Sequence, residues 1–253
     1  MPLLEVDGVS VRFGGLMALA DVSLVADADQ VTGLIGPNGA GKTTLFNTVC
    51  GLQPARGGRV LLDGRDVTRL SPHKRARRGL ARTFQRLEIF GSLSVRENVL
   101  VAAEIHRRWS GGSEDPEAVT DEILDRLTLR DIGGALVDVL PIGMARVIEM
   151  ARALATRPRV LLLDEPSSGL DPAETAWLGR LLVSLAADGL AVVLVEHDVG
   201  LVMQTSSHIY ALEFGRIIAS GTPEEVRQNQ AVQAAYLGST FANASSESGS
   251  GGV

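Results

Sequence analysis

Gly36-Pro37-Asn38-Gly39-Ala40-Gly41-Lys42-Thr43-Thr44 directly follows the apolar run Val31-Thr32-Gly33-Leu34-Ile35. A buried strand, a glycine-rich loop and a helix start, in that order, are what a phosphate cradle needs. The glycines let successive amides turn inward onto phosphate oxygens. Lys42 carries an ammonium to the outer phosphates, Thr43 offers a hydroxyl to Mg²⁺, and the helix start adds its dipole. The whole stretch, with Pro37, Asn38, Ala40 and Thr44 included, is therefore the candidate binding loop for a nucleoside triphosphate.

Two further apolar runs end in ionisable residues. Val160-Leu161-Leu162-Leu163 leads into Asp164-Glu165, and Ala191-Val192-Val193-Leu194-Val195 leads into Glu196-His197-Asp198. Short continuous apolar runs read as strands covered on both faces of a parallel sheet. The carboxyl ends of such strands open on the crevice where ligands bind. There Asp164 would hold Mg²⁺ through water, Glu165 would take a proton from an attacking water, and His197 would reach the γ-phosphate. Each piece alone has an ordinary explanation: Asp-Glu before Pro166 and Ser167 suits a strand end or a helix cap, and a lone histidine is more often structural. Three such strand ends in one crevice make coincidence a poor account.

As an ordered set these motifs resemble the ATP-binding subunits of ABC transporters, from about Leu3 to about Leu237. The resemblance makes Gly36 to Thr44 the Walker A motif and Leu161 to Glu165 the Walker B motif. Gln85, in Arg82-Thr83-Phe84-Gln85, falls at the Q-loop glutamine, which reaches Mg²⁺ or the attacking water. Ser168-Gly169-Leu170-Asp171 matches the D-loop and His197 the switch histidine. Phe13 falls where an aromatic residue stacks on adenine, although composition alone would place a phenylalanine in the core. The implied fold is α/β: a P-loop NTPase (RecA-like) parallel-sheet core, an N-terminal antiparallel β subdomain, and a helical insertion at about 86–157. The implied cofactors are ATP and Mg²⁺. The implied partners are membrane permease subunits, a second ATPase and, indirectly, an external solute-binding protein, with the chain on the cytoplasmic face of the membrane.

One motif departs from the family. Its usual Leu-Ser-Gly-Gly-Gln signature is here Leu140-Pro141-Ile142-Gly143-Met144. Proline suits a helix start, and Gly143 still allows a phosphate to approach. The serine hydroxyl and the glutamine amide are missing. Because the family's two ATPases close head to tail, the expectation is a heterodimer in which the site built on the partner's loop is weakened.

Composition sets bounds on this reading. The chain has 253 residues, 45% hydrophobic, and a mean hydropathy of +0.16. No apolar run approaches the roughly 20 residues of a spanning helix, so the apolar excess is assigned to a doubly covered sheet. Met1 to Glu5 has no basic start or apolar stretch, and no secretory leader is expected. Cys50 is the sole cysteine, which rules out an internal disulfide and suits a reducing compartment. A net charge of −6 argues against a nucleic-acid partner, and so does the shortness of the run His73-Lys74-Arg75-Ala76-Arg77-Arg78, read as a solvated helix face. Lys42 and Lys74 are the only lysines, which makes Lys42 harder to dismiss.

The first 30 residues read as strands of the antiparallel sheet, and Arg59 to Gly64 as another. From Val95 onward the apolar spacing becomes helical, broken by Ser110-Gly111-Gly112-Ser113-Glu114-Asp115-Pro116. Residues 1–239 form one ATPase unit, and 240–253, rich in Ser, Gly and Glu, read as a disordered tail. Glu97-Asn98-Val99, Val195 to Asp198 and Ala235-Tyr236-Leu237-Gly238 resemble the Liv-type ATPases of branched-chain amino acid importers, which have urea and short-amide relatives. The same ending resembles the lipopolysaccharide-export ATPase, so these residues leave the direction of transport open.

Overall fold

The structure is a computed structural model, and it describes residues 2–84 and 87–236. Gln85 and the tail expected at 240–253 lie outside the described residues. From the N-terminus, β1 (Leu4–Phe13) and β2 (Leu16–Ala26) form a hairpin. β3 (Val31–Ile35), buried at every residue, runs through the glycine-rich loop into α1 (Lys42–Cys50). Next come β4 (Gly57–Leu62), β5 (Arg65–Asp66), α2 (Pro72–Ala76) and β6 (Leu80–Arg82). The helices α3 (Val95–Ser110), α4 (Pro116–Arg126) and α5 (Ile142–Leu154) are inserted before β7 (Val160–Asp164). The chain continues through α6 (Pro172–Ala187), β8 (Ala191–Val195), α7 (Val199–Thr205), β9 (His208–Glu213), β10 (Arg216–Gly221), α8 (Pro223–Gln228) and α9 (Gln230–Tyr236).

The strands form two sheets: an antiparallel one in the order β2-β1-β4-β5, and a six-stranded one in the order β10-β9-β3-β8-β7-β6. In the second, β9-β3-β8-β7-β6 run parallel, and β10 returns antiparallel at the edge. The continuous apolar runs are explained by what covers them. Leu161, Leu163, Val192 and Leu194 pack with the helices α3 to α6, whereas Val160, Leu162, Val193 and Val195 pack with α1 and the antiparallel sheet. Both faces are dry, so both phases of the strand period are apolar.

Strand order places the site. β8 lies between β3 and β7, with Leu34 level with Val195 and Val195 level with Asp164. The three loops leaving these strands therefore emerge side by side. This fold class is the α/β arrangement expected from the motifs.

The inserted helices form where the period changes. Ser94 and Glu97 make a reciprocal capping box at the start of α3, which satisfies amides the helix cannot bond itself. Val95, Val99 and Ala103 then face Ile123 and Leu124 of α4 and Ile148 and Ala151 of α5. Pro116 opens α4 behind an Asp115 cap, so the polar break of the sequence is a helix-to-helix connection.

One expectation is overturned. The basic run at 73–78 is not wholly a solvated face, because Arg75 is 3% exposed. Its guanidinium donates to the carbonyls of Thr48 and Val49 (2.7 Å each), Thr68 (2.7 Å) and Leu70 (3.0 Å). Thr48 and Val49 end α1, where helical carbonyls lack partners and the dipole favours a cation. A charge run hides such a residue, because nothing local marks which arginine points inward. Arg75→Ala should lower unfolding free energy by about 3 kcal/mol through the lost charged hydrogen bonds. A urea titration monitored by circular dichroism measures this, and Lys74→Ala in the same run should leave the midpoint unchanged.

Candidate functional site

Asn38 to Thr44, Asp164, Glu165, Val195 and His197 line one cavity of about 370 Å³ at the ends of β3, β7 and β8. Gly41 is the residue before the first turn of α1, with φ of 113°. A Cβ there would lie 2.9 Å from the Ala18 carbonyl, so a glycine is required where the loop turns into the helix. Gly36 and Pro37 stand behind the loop. Their carbonyls accept hydrogen bonds from Lys42 Nζ at 2.5 and 3.1 Å. Lys42 is only 8% exposed. Burial pushes its pKa below the usual ammonium value, and the carboxylates of Glu165 and Asp164 oppose that shift.

Asp164 is 2% exposed. Burial raises its pKa, while a hydrogen bond and charge from Arg82 act in the other direction. Arg82 Nη2 lies 3.0 Å from Asp164 Oδ2, and Nη1 donates to Asn47 Oδ1 at 2.6 Å. Thr83 Oγ1 accepts from the Asp164 amide at 3.3 Å. Glu165, one residue on, adopts a left-handed φ of 53°, and its amide donates to the Val195 carbonyl at 2.9 Å. That turn brings Glu165 Oε1 within 2.8 Å of His197 Nε2. Glu196 does the opposite of its neighbour His197: it is buried, and its carboxylate accepts from the amides of Ser167 (2.7 Å) and His197 (3.2 Å). A single carboxylate thus ties the loop after β7 to the loop after β8.

Thr43 and Asp164 offer oxygen donors to a hard cation. Among the described residues no group of three or more His, Cys, Asp or Glu side chains gathers to bind a metal ion.

Besides Gly36 and Pro37, three predicted residues among those described do not line the cavity. Phe13 ends β1 half-exposed beside the exposed Leu16 and Met17. Asp171 caps α6: its Oδ1 accepts from the Glu174 amide, and Glu174 Oε2 accepts from the Asp171 amide, both at 2.8 Å. Gly143 is buried near the start of α5, where a Cβ would meet the Gly169 carbonyl and Leu170 Cδ2, both at 2.7 Å. Within one chain that glycine serves contact with the D-loop. Pro141 precedes the first residue of α5 and supplies no side-chain hydrogen bond to its amides.

The ABC transporter family profile matches residues 19–168, and the branched-chain amino acid ATP-binding cassette transporter profile matches residues 216–242. The chain belongs to the ATP-binding subunits of ABC transporters. It is 41% identical to the high-affinity branched-chain amino acid transport ATP-binding protein BraF of Pseudomonas aeruginosa, over 94% of this chain and 98% of that one. It is 39% identical to the corresponding protein LivG of Escherichia coli K12, with the same coverage. The lipopolysaccharide export system ATP-binding protein LptB of the same organism is 34% identical, over 95% of this chain and 99% of that protein. An ABC transporter ATP-binding cassette crystallised in its ADP conformation superposes with a TM-score of 0.84 at 29% identity, covering 94% of this chain and all of that one. The family activity is ATP hydrolysis coupled to transport, and the cavity contains the parts for it: amides and an ammonium for phosphates, oxygens for a cation, and a carboxylate beside a histidine.

Four residues around this ABC site escaped sequence reasoning. Arg82 meets Asp164 from β6, Asn47 of α1 accepts from Arg82, and Glu196 was read only as a strand end. The fourth is Glu149, buried on α5, whose Oε1 accepts from the amides of Phe84 (3.1 Å) and Glu88 (3.4 Å). Arg146 Nη1 donates to the Phe84 carbonyl at 2.7 Å. These bonds clamp both flanks of Gln85 and Arg86 onto α5.

Glu165→Gln should cut hydrolysis by about 10²- to 10⁴-fold with ATP binding retained, whereas Lys42→Ala should lose ATP affinity. Phosphate release and equilibrium binding of a labelled nucleotide separate the two. A glutamine variant that hydrolyses at the wild-type rate would remove Glu165 from the role of base.

Proposed function

We propose that this chain is one of two ATPases powering an importer of branched-chain amino acids or closely related solutes, peripheral on the cytoplasmic face of the membrane. The observation that carries this is end-to-end likeness to BraF and LivG, reinforced by the separate match at residues 216–242. The lower identity to LptB makes export the second reading. Among the described residues no helix is long and apolar enough to cross a membrane, so the solute path must belong to other subunits.

ATP binds in the loop Gly36 to Thr44, with its phosphates on the amides of Asn38 to Thr44 and on Lys42. Thr43 and Asp164 would hold Mg²⁺, which would supply positive charge against that developing on the phosphates. Gln85 joins them from the segment between the clamped flanks. Glu165 accepts a proton from the attacking water while His197 holds the carboxylate and contacts the γ-phosphate. Phe13 receives the adenine, and Asp171 and Gly143 act across the interface with the second ATPase. The permease docks a helix in the apolar cleft between the sheet core and the inserted helices. That cleft is lined by Leu52, Phe84, Phe90, Ile105 and Trp109, and Leu52, Phe90 and Ile105 are about half-exposed. Exposed apolar side chains gathered in one cleft mark a docking surface.

Uptake of labelled leucine by cells carrying Glu165→Gln tests the reading, together with purification of the chain from detergent-solubilised membranes. Lost uptake and recovery of a permease with a second ATPase are expected. Unchanged uptake with failing lipopolysaccharide export selects the second reading, and recovery with ribosomes or DNA rejects both.

The altered signature adds an asymmetry. Losing a hydroxyl that bonds a charged phosphate costs about 1.5–3 kcal/mol, or about ten- to a hundredfold in rate if the bond forms in the transition state. Pro141 belongs to the site built on the partner ATPase's loop. Glu165→Gln should therefore stop turnover while the equivalent change in the partner is milder, and Pro141→Ser should raise hydrolysis at the weak site. Equal losses from the two glutamate changes, with no gain from the serine, would mean that the departure is neutral.

A further inference from the structure

Arg82 ends β6, level with Leu162 of β7, and its side chain is 5% exposed. The guanidinium lies against two rings, Phe46 of α1 at 5.4 Å and Phe84 at 4.9 Å from the ring centroids. Its fork spans two partners, Asn47 Oδ1 at 2.6 Å and Asp164 Oδ2 at 3.0 Å. Among the described residues its Nε has no hydrogen-bond partner.

Both Arg82 and Phe84 line the apolar cleft. Phe84 in turn is fastened to α5, its amide to Glu149 and its carbonyl to Arg146. A continuous set of contacts therefore runs from α5 through the ring of Phe84 and the guanidinium of Arg82 to Asp164. Removing one partner of a buried ion pair leaves the other charge uncompensated. A lysine cannot replace the planar fork that meets two acceptors at once.

We propose that Arg82 is a positioning residue for the metal-site carboxylate Asp164, and that through Phe84 it makes Mg²⁺ binding respond to the placement of α5 and the cleft wall. The proposal rests on the reading that Asp164 holds Mg²⁺. Arg82 touches neither nucleotide nor water in this scheme. It fixes one oxygen of Asp164, and the cleft decides how firmly.

Binding of a fluorescent, non-hydrolysable ATP analogue to the purified full chain tests this, titrated with Mg²⁺ and repeated in EDTA. Arg82→Lys should raise the Mg²⁺ concentration for half-saturation about tenfold, the usual cost of losing an outer-shell partner of a metal ligand. Analogue affinity in EDTA should be unchanged. Phe84→Leu should move the Mg²⁺ midpoint in the same direction by a smaller factor. Should Arg82→Lys fail to fold, Phe84→Leu decides alone: a raised midpoint supports the proposal and an unchanged one overturns it. Equal weakening with Mg²⁺ and in EDTA would make Arg82 merely structural and overturn the proposal. Asp164→Asn separates the two levels. If it raises the midpoint while Arg82→Lys does not, only the proposal falls. If it leaves the midpoint unchanged, the reading of Asp164 falls and the proposal with it.

Discussion

Lys42, Arg82, Asp164 and Glu196 are all withdrawn from water at one edge of the sheet, and the rest of the structure is arranged to make that tolerable. An isolated buried charge is costly, and each of these is compensated by a different device. Lys42 rests on two backbone carbonyls of its own loop. Asp164 and Arg82 neutralise each other, and Asn47 and two rings complete the guanidinium's surroundings. Glu196 accepts from two amides. For Arg82, Asp164 and Glu196 a compensating group comes from a neighbouring strand end, so β6, β7 and β8 must be adjacent and level. A change of strand order would strand these three charges.

The same economy explains how the inserted helices attach. A loop crossing from β6 to α3 carries backbone amides into a partly buried region, where they need acceptors. Glu149 supplies one carboxylate oxygen to two of them, and Asn98 bonds both the amide (3.0 Å) and the carbonyl (2.9 Å) of Phe90. The chain on either side of Gln85 is thereby tied to α3 and α5, while the Thr83 amide before it still donates to Leu162 of the sheet. Any rotation of the inserted helices must carry it along.

The legible part of this architecture lay in patterns that are local in sequence. The loop after Ile35 has a spacing few other structures need, and two apolar runs ending in charge announced strands covered on both faces. The spacing change at Val95 announced helices. Pairings between distant residues stayed hidden. Arg82 and Asp164 are 82 residues apart, and Arg75 reaches back to the end of α1 across 26 and 27 residues. An inward arginine and an outward one look alike in a basic run, as Arg75 showed against the expectation of a solvated face. Glu149 and Glu196 likewise sit among residues whose neighbours are apolar or charged for other reasons. Phe13, Asp171 and Gly143 were recognisable only through family likeness, and a single chain gives none of them a place in the cavity. Asp171 caps a helix and Gly143 packs on a loop, duties that any isolated subunit needs.

Those duties are not idle for the chemistry. From Glu165 to Asp171 the chain is closed by its own backbone: the Ser168 amide donates to the Glu165 carbonyl (3.2 Å), and the Leu170 amide to the Ser167 carbonyl (3.0 Å). Glu196 fixes one side of this turn at Ser167, and the Asp171 capping box fixes its end. Gly169 and Leu170 then touch Ile142 and Gly143 at the start of α5. A side chain at 143 would push the turn away from the helix. Its absence lets the carboxylate beside the phosphate loop and the first turn of α5 share one short, stiff connection. A shift of Glu165 on phosphate binding therefore has few places to be absorbed before it reaches α5. By the same contacts, a displacement of α5 returns to the carboxylate. The altered signature and Glu165 of one chain are thus mechanically joined, although in the proposed pair of ATPases they would serve ATP at opposite sites.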